Sequence, residues 1–176
     1  AFLKSNTYRE FINIQISENI LKQFHRQKML KIKIEVDIDP PGNFHTETKY
    51  VLQPMLFSIK TYSLPDLFAG KIHALLFRKW KTRVKGRDWY DLVWYAGHYP
   101  EVRLSHLEAR MRQTGDFTGS GHLTKKILLH YLDNAIDNLN IDHALAEVSP
   151  FVKERRNLDL WSREFFRDIM RRIVPI

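Results

Sequence analysis

SLPDLFAGKIHALLFR, residues 63–78, is where the pattern of the chain turns from strand to helix. Pro65 stands near the first helical position, where its missing N–H is no loss. Asp66 sets a carboxylate in the first turn, at the positive end of the helix dipole. Leu67, Ile72, Leu75, Leu76 and Phe77 are apolar and are predicted to pack inward. Lys71, Leu75 and Arg78 share one stripe, so both cations face the same way, with Lys71 at the edge of the core. Two readings of such a lysine are open. Its stem can lie along apolar surface with the ammonium in water, or the ammonium can serve as a compact charge for phosphate.

Upstream, the chain reads as mixed strand and helix. FINIQI (11–16) alternates weakly, and Ser17 is placed to cap a helix over SENILKQFHRQKML. LKIKIEVDIDPP (30–41) follows, with apolar residues at 30, 32, 34, 36 and 38 and a charge in every place between. Strict alternation predicts a half-buried strand that stops at Asp-Pro-Pro-Gly, where proline ends ladder donation and glycine permits a turn. One face of that strand carries Lys31 and Lys33, then Glu35, Asp37 and Asp39. Carboxylates at i and i+2 lie about 7 Å apart on one face and can converge on a hard cation such as Mg²⁺. A solvated charged face is the plainer reading. TKYVLQ (48–53) and MLFSIKTYS (55–63) are predicted as further short strands, which makes one small sheet.

Downstream, helical spacing dominates. RDWYDLVWYAGHYP (87–100) is predicted as a helix ending at Gly97, and LSHLEARMRQTG (104–115) as one capped near Ser105 and stopped by Gly115. DFTGSGH forms a loop, the segment expected to be most mobile. LTKKILLHYLDNAIDNL (123–139), a short piece around DHALAEV and a last helix from about Leu158 to Ile173 complete the chain. Helices segregated after a small sheet indicate an α+β class, divided here as 1–63 and 64–176.

The 176 residues contain no cysteine, which excludes disulfides, thiol catalysis and thiolate metal sites and suits a reducing cytoplasm. No apolar run approaches the roughly 18 residues that span a bilayer. A formal charge of +8 favours a polyanionic partner. Positive charge concentrates between Leu67 and Arg87, where Lys71, Arg78, Lys79, Lys81, Arg83, Lys85 and Arg87 stand with no acid among them. This run reads as a polyanion-binding surface, with Trp80 either stacking on a base or packing in the core. Asp88 and Asp91 follow at i and i+3 on one helix face. Asp88 can cap that helix or pair with Arg87 or Lys85. The eight histidines form no HxH or HExxH pattern, and there is no GxSxG, Walker A or dinucleotide fingerprint. Zinc and serine-hydrolase chemistry are set aside.

Three elements in order, LKIKIEVDIDPP, SLPDLFAGKIHALLFR and KGRDWYDLVWY, resemble the AbiEii-type nucleotidyltransferase toxins. These are the toxin half of type IV toxin–antitoxin systems tied to abortive phage infection. The likeness is close over residues 30–96 and general in the helices that follow. It implies a fold related to DNA polymerase β with a C-terminal helical bundle, and transfer of a nucleoside monophosphate from an NTP to an acceptor such as RNA. It implies Mg²⁺ as cofactor, an antitoxin as partner, a cytoplasmic location and no membrane association. Carried over, the strand acid falls on Glu35 with Asp37 beside it, both as metal ligands. The lysine of D-L-F-A-G-K falls on Lys71, expected at the triphosphate, and R-D-x-x-D falls on Arg87, Asp88 and Asp91. Asp88 is expected to orient Lys71 or a basic neighbour in catalysis. Arg78, Lys85, Arg87 and Asp91 are expected on the substrate side.

The family's first motif, a Gly-Ser turn leading to a D-x-D pair, is absent; Asp37 and Asp39 form D-x-D without that turn and helix before them. The 176 residues are therefore expected to be the C-terminal part of a longer enzyme, the alternative being a degenerate member that has lost catalysis. A rival reading is a non-catalytic basic module that holds RNA or an antitoxin. A metal-dependent nuclease fits less well, because Lys31 and Lys33 precede the acids instead of following them.

Overall fold

A computed structural model describes residues 36–78 and 86–176. Two compact units make up the chain, Ala1–Pro40 and Pro41–Ile176. In the first, the strand predicted at 11–16, the helix from Ser17 and residues 30–35 lie outside the described residues. The predicted acidic strand is corrected at its described end: Val36–Pro40 is irregular, with a bend at Ile38 and Asp39. The Asp37 carboxylate accepts the Asp39 N–H at 3.1 Å. Such a local bond offers the backbone a turn in place of a ladder, and the following proline removes a donor.

The second unit starts with a turn at Pro41–Asn43. Its left-handed residue is Asn43, at φ 60, not the predicted glycine; asparagine is one of the few side chains that tolerate this region. Strands β1 (Thr46–Val51) and β2 (Phe57–Tyr62) pair antiparallel, with Thr46 opposite Tyr62 and Val51 opposite Phe57. Both are largely exposed, and the hairpin is tied to the helices at its base, where the Ser63 N–H donates to the His45 carbonyl.

Helix α1 (Leu64–Phe77) begins at Ser63 with proline in its first turn. It buries Phe68, Ala69, Ile72 and Leu75 and leaves Leu67 40% exposed, so Leu67 does not pack inward as predicted. Helix α2 (Gly86–His98) runs through Gly97, which has no left-handed φ; the predicted stop there is one residue early. Helix α3 (Leu104–Thr114) is preceded by Arg103, not Ser105, at its N-cap, and ends at Gly115 in the left-handed region, φ 79. Helix α4 (Lys125–Asp137) is capped by the Thr124 hydroxyl, and α5 (Ile141–Val148) by the Asn140 side chain. Two 3₁₀ turns, Ser149–Phe151 and Arg155–Leu158, lead to α6 (Arg163–Arg171), so the last helix starts later than predicted.

A second two-stranded sheet, absent from the sequence reading, pairs β3 (Glu101–Val102) with β4 (Val174–Pro175) in parallel. The described residues thus hold two small sheets where one was expected. Mixed helix and strand with this segregation is an α+β arrangement.

Helix α1 packs on α2 and α3, α2 on α5 and α6, and α4 on α6. Aromatic contacts mark the joints. Phe68 stacks on Tyr95 with centroids 4.8 Å apart, and Phe166 meets Trp89 at 4.7 Å and Trp161 at 5.1 Å. The glycine of K-G-R-D, Gly86, faces the Ala144 backbone so closely that a Cβ there would overlap the carbonyl. A glycine opens α2 because α5 crosses it at backbone distance.

A cationic cleft beside helix α1

Residues 67, 70, 71, 74 and 78 recur along one side of α1, the side left uncovered when Phe68, Ala69, Ile72 and Leu75 are buried. That side forms a wall of a cleft of about 260 Å³, which α2 closes with Asp88 and α3 with His106 and Arg110; Tyr62 stands at the end of β2. Lys71 and Arg78 therefore do face one space. Leu75, predicted on their stripe, is in the core instead.

The Lys71 ammonium lies 2.6 Å from Asp91 Oδ2, with the side chains 48% and 33% exposed. The carboxylate that holds Lys71 is thus Asp91, while Asp88 lines the cleft one helical turn earlier. A half-exposed pair of this kind contributes about 0–1 kcal/mol, so an incoming anion can take the ammonium at little cost.

Asp66, expected only to favour the helix dipole, is buried at the inner end of the cleft. Its Oδ2 accepts the Ser63 hydroxyl and the His45 N–H, the latter at 3.0 Å. Its Oδ1 lies 3.1 Å from Arg103 Nε, a pairing by charge without an aligned hydrogen bond. One carboxylate thereby joins the approach to β1, the start of α1 and the start of α3. With Asp66 neutralised by Arg103, the cleft sets Lys71, Arg78 and Arg110 against Asp88.

His106 is buried with Nδ1 2.8 Å from the Gly42 carbonyl, so Nδ1 carries the proton. Its ring stacks on Tyr62 at 5.9 Å. Burial pushes its pKa below 6.5, the Gly42 bond opposes this, and Arg110 adds to the lowering. His73, on another side of α1, contacts Thr114 Oγ1 at 3.0 Å and is also lowered, by burial first and by Arg110 next.

The remaining expected residues are elsewhere. Arg87 turns to α5, with Nε 3.5 Å from Glu147 Oε1 and its guanidinium 4.8 Å over the Phe151 ring. Glu35, Lys85 and the other cations of 79–85, with Trp80, lie outside the described residues. Asp37 belongs to the Ala1–Pro40 unit. Among the described residues there is no group of three or more His, Asp or Glu side chains fit to hold a metal. Arg110 and His106 escaped the sequence reading, although a signal existed. They stand four apart on a helix whose Leu107 and Met111 are fully buried, so both belong to its inward half.

A family model, nucleotidyl transferase AbiEii toxin of type IV TA systems, matches residues 7–173. Comparison with curated proteins gives no match, and neither does comparison with solved structures.

Proposed function

Since the chain belongs to the AbiEii nucleotidyltransferase toxin family, we propose that it transfers a nucleoside monophosphate from an NTP to an RNA acceptor, with the triphosphate held in the cleft beside α1. The observation that carries this reading is the shared cleft of Lys71 and Arg78, with Asp91 2.6 Å from the lysine ammonium. Residues 1–63 would supply a polymerase-β-like core and 64–176 its helical bundle.

In such a transfer an acceptor hydroxyl forms a bond to the α-phosphorus and gives its proton to water as the bond to the bridging oxygen breaks, and pyrophosphate leaves. Charge then accumulates on the β and γ phosphates. Lys71 and Arg78 meet that charge, and fixed cations at a developing anion need no reorganisation when the bond breaks. Asp91 orients the ammonium through their ion pair. Asp88 limits the excess of positive charge in the empty cleft.

The described carboxylates do not fit as a metal cradle, because Asp66 is taken by Arg103, Ser63 and His45, and Asp91 by Lys71. Mg²⁺ would be held by Glu35 and Asp37, the neighbouring acids that the sequence offers, and would supply charge for the triphosphate. Lys85 and its neighbours in 79–85 would receive the RNA. Arg87, engaged with Glu147, would act on the substrate side only by leaving that carboxylate. Membership of a type IV toxin–antitoxin family implies a cognate antitoxin as partner. No described helix is long and apolar enough to cross a membrane, and a cytoplasmic location is proposed.

The test is transfer of label from each α-labelled NTP to total RNA, with and without Mg²⁺, by the protein as its gene encodes it. Lys71→Ala should lower transfer at least 100-fold with the melting temperature little changed, and Lys71→Arg should restore little, since a planar fork does not replace a compact ammonium. Full transfer by Lys71→Ala would refute the assigned role. RNA binding without transfer by any wild-type protein would favour the non-catalytic module.

A further inference from the structure

We propose that Arg110, on α3, is a third phosphate-contacting residue of this cleft, reading the end of the polyphosphate chain opposite Lys71. The inference rests on the triphosphate reading and adds a residue to it.

Three observations converge. Arg110 lines the cleft together with Lys71 and Arg78, from a different helix. Its Nε is fully enclosed and has no hydrogen-bond partner among the described residues. A buried N–H left unpaired is costly, by more when the group is charged, and an anion in the cleft would draw the guanidinium into a position that pairs it. Third, the guanidinium lies over Gly70, the residue before Lys71: a Cβ at Gly70 would stand 3.8 Å from Arg110 Cζ and 3.9 Å from Nε and Nη1. A single methyl would just touch the guanidinium, and anything longer would displace it. Gly70 therefore keeps a planar cation flat on the cleft wall, one residue from the lysine.

The chemistry then divides between two kinds of cation. A compact ammonium on α1 serves as a movable point charge, while the guanidinium presents donors in a fixed plane that matches two oxygens of one phosphate. The two reach the cleft from different helices, so they can meet separate phosphates of one chain. A linear polyphosphate should engage both, and a single phosphate only one. Arg110 also lowers the pKa of His106 and His73, as expected of a cation enclosed with them.

The experiment is calorimetric titration of the full-length protein with sodium tripolyphosphate and, separately, with inorganic phosphate. The set is the wild type, Lys71→Ala, Arg110→Ala, Arg110→Lys and Gly70→Leu. Wild type should prefer tripolyphosphate at least tenfold. Arg110→Ala should lose at least tenfold in tripolyphosphate affinity and little in phosphate affinity, and Arg110→Lys should recover part of it. Gly70→Leu keeps the arginine and favours helix, yet should weaken tripolyphosphate by displacing the guanidinium, which covers the case of an Arg110→Ala variant that does not fold. In NTP turnover, Gly70→Leu should raise KM more than it lowers kcat, a split that a purely structural arginine would not produce. If Lys71→Ala weakens binding while Arg110→Ala and Gly70→Leu stay within twofold of wild type, the proposal is overturned and the triphosphate reading stands. If the Arg110 and Gly70 variants weaken binding but Lys71→Ala does not, Arg110 stands as an anion site and the role given to Lys71 falls. Unchanged affinity in all of them overturns both.

Discussion

His106 sits between Tyr62, Phe44 and the cleft, with its Nδ1 proton donated to the Gly42 carbonyl. A second proton would place a cation among buried aromatics beside Arg110 and Arg103, and burial is the main reason its pKa is lowered. The unfolded chain takes up the proton near pH 6.5, before the folded one does, so the contribution of His106 to stability is complete above that pH and is lost as pH falls toward the folded pKa. His73 acts in the same direction. The unfolding free energy should therefore fall as pH is lowered from 7.5 to 5.5, by at most about 1.4 kcal/mol per pH unit for each histidine, as read from urea denaturation at each pH. His106→Gln, which keeps a donor for Gly42 and cannot be charged, should flatten the curve. Equal slopes in both proteins would remove His106 from this account.

At the scale of elements, two contacts hold the helices in register. Gly86 lets α2 begin against the Ala144 backbone, and Ala144 is itself fully buried. A methyl group at Gly86 must push α2 off α5, and overpacking of this kind costs about 1–3 kcal/mol. Gly86→Ala should lower stability by that amount although alanine favours helix; urea unfolding would measure it. A variant as stable as wild type would mean that the two helices separate freely. Arg112 ties down the glycine-rich loop that the sequence marked as mobile. Its Nη1 donates to the Gly119 carbonyl at 2.9 Å and its Nη2 to Gly121 at 2.6 Å, while Nε pairs with Glu108. Glu108 also accepts the Leu123 N–H at 2.7 Å, so the second half of the loop and the residue that follows it meet at one ion pair. That second bond and the Arg112 charge keep the Glu108 carboxyl below its usual range despite burial, which alone would raise it.

Across the whole molecule the excess of charge decides the kind of partner. Net +8 with seven cations in the acid-free run from Leu67 to Arg87 should make RNA affinity steeply dependent on salt. Each phosphate neutralised on a single strand contributes about 0.7 to the slope of log K against log salt. Removing Lys81, Arg83 and Lys85 together should reduce that slope by about 2, as measured by filter binding at several salt concentrations. A slope equal to the wild type would move the RNA surface elsewhere on the protein. Lys71 and Arg78, which belong to the same run, line the cleft, and their loss should affect polyphosphate binding first.

The sequence by itself determined the order of the described helices, the α+β class and the pairing of Lys71 with Arg78 on one helix face, because these depend on periodicity and on the local chemistry of proline, glycine and capping side chains. Thr124, Asn140 and Gly115 end or begin helices by contacts within a few residues. What a residue meets far along the chain was not legible there. Asp66 finds Arg103 and His45, Arg110 finds Gly70, and Val174 finds Pro100 only once the helices have packed. The β3–β4 pair is too short to leave an alternating pattern, and its hydrogen bonds join residues more than seventy positions apart. Asp91 pairs with the lysine because the rotation of α2 on α1 is set by the stacking of Phe68 on Tyr95 and by the close approach of Gly86 to α5. Those are contacts between helix surfaces, and only the folded chain defines them.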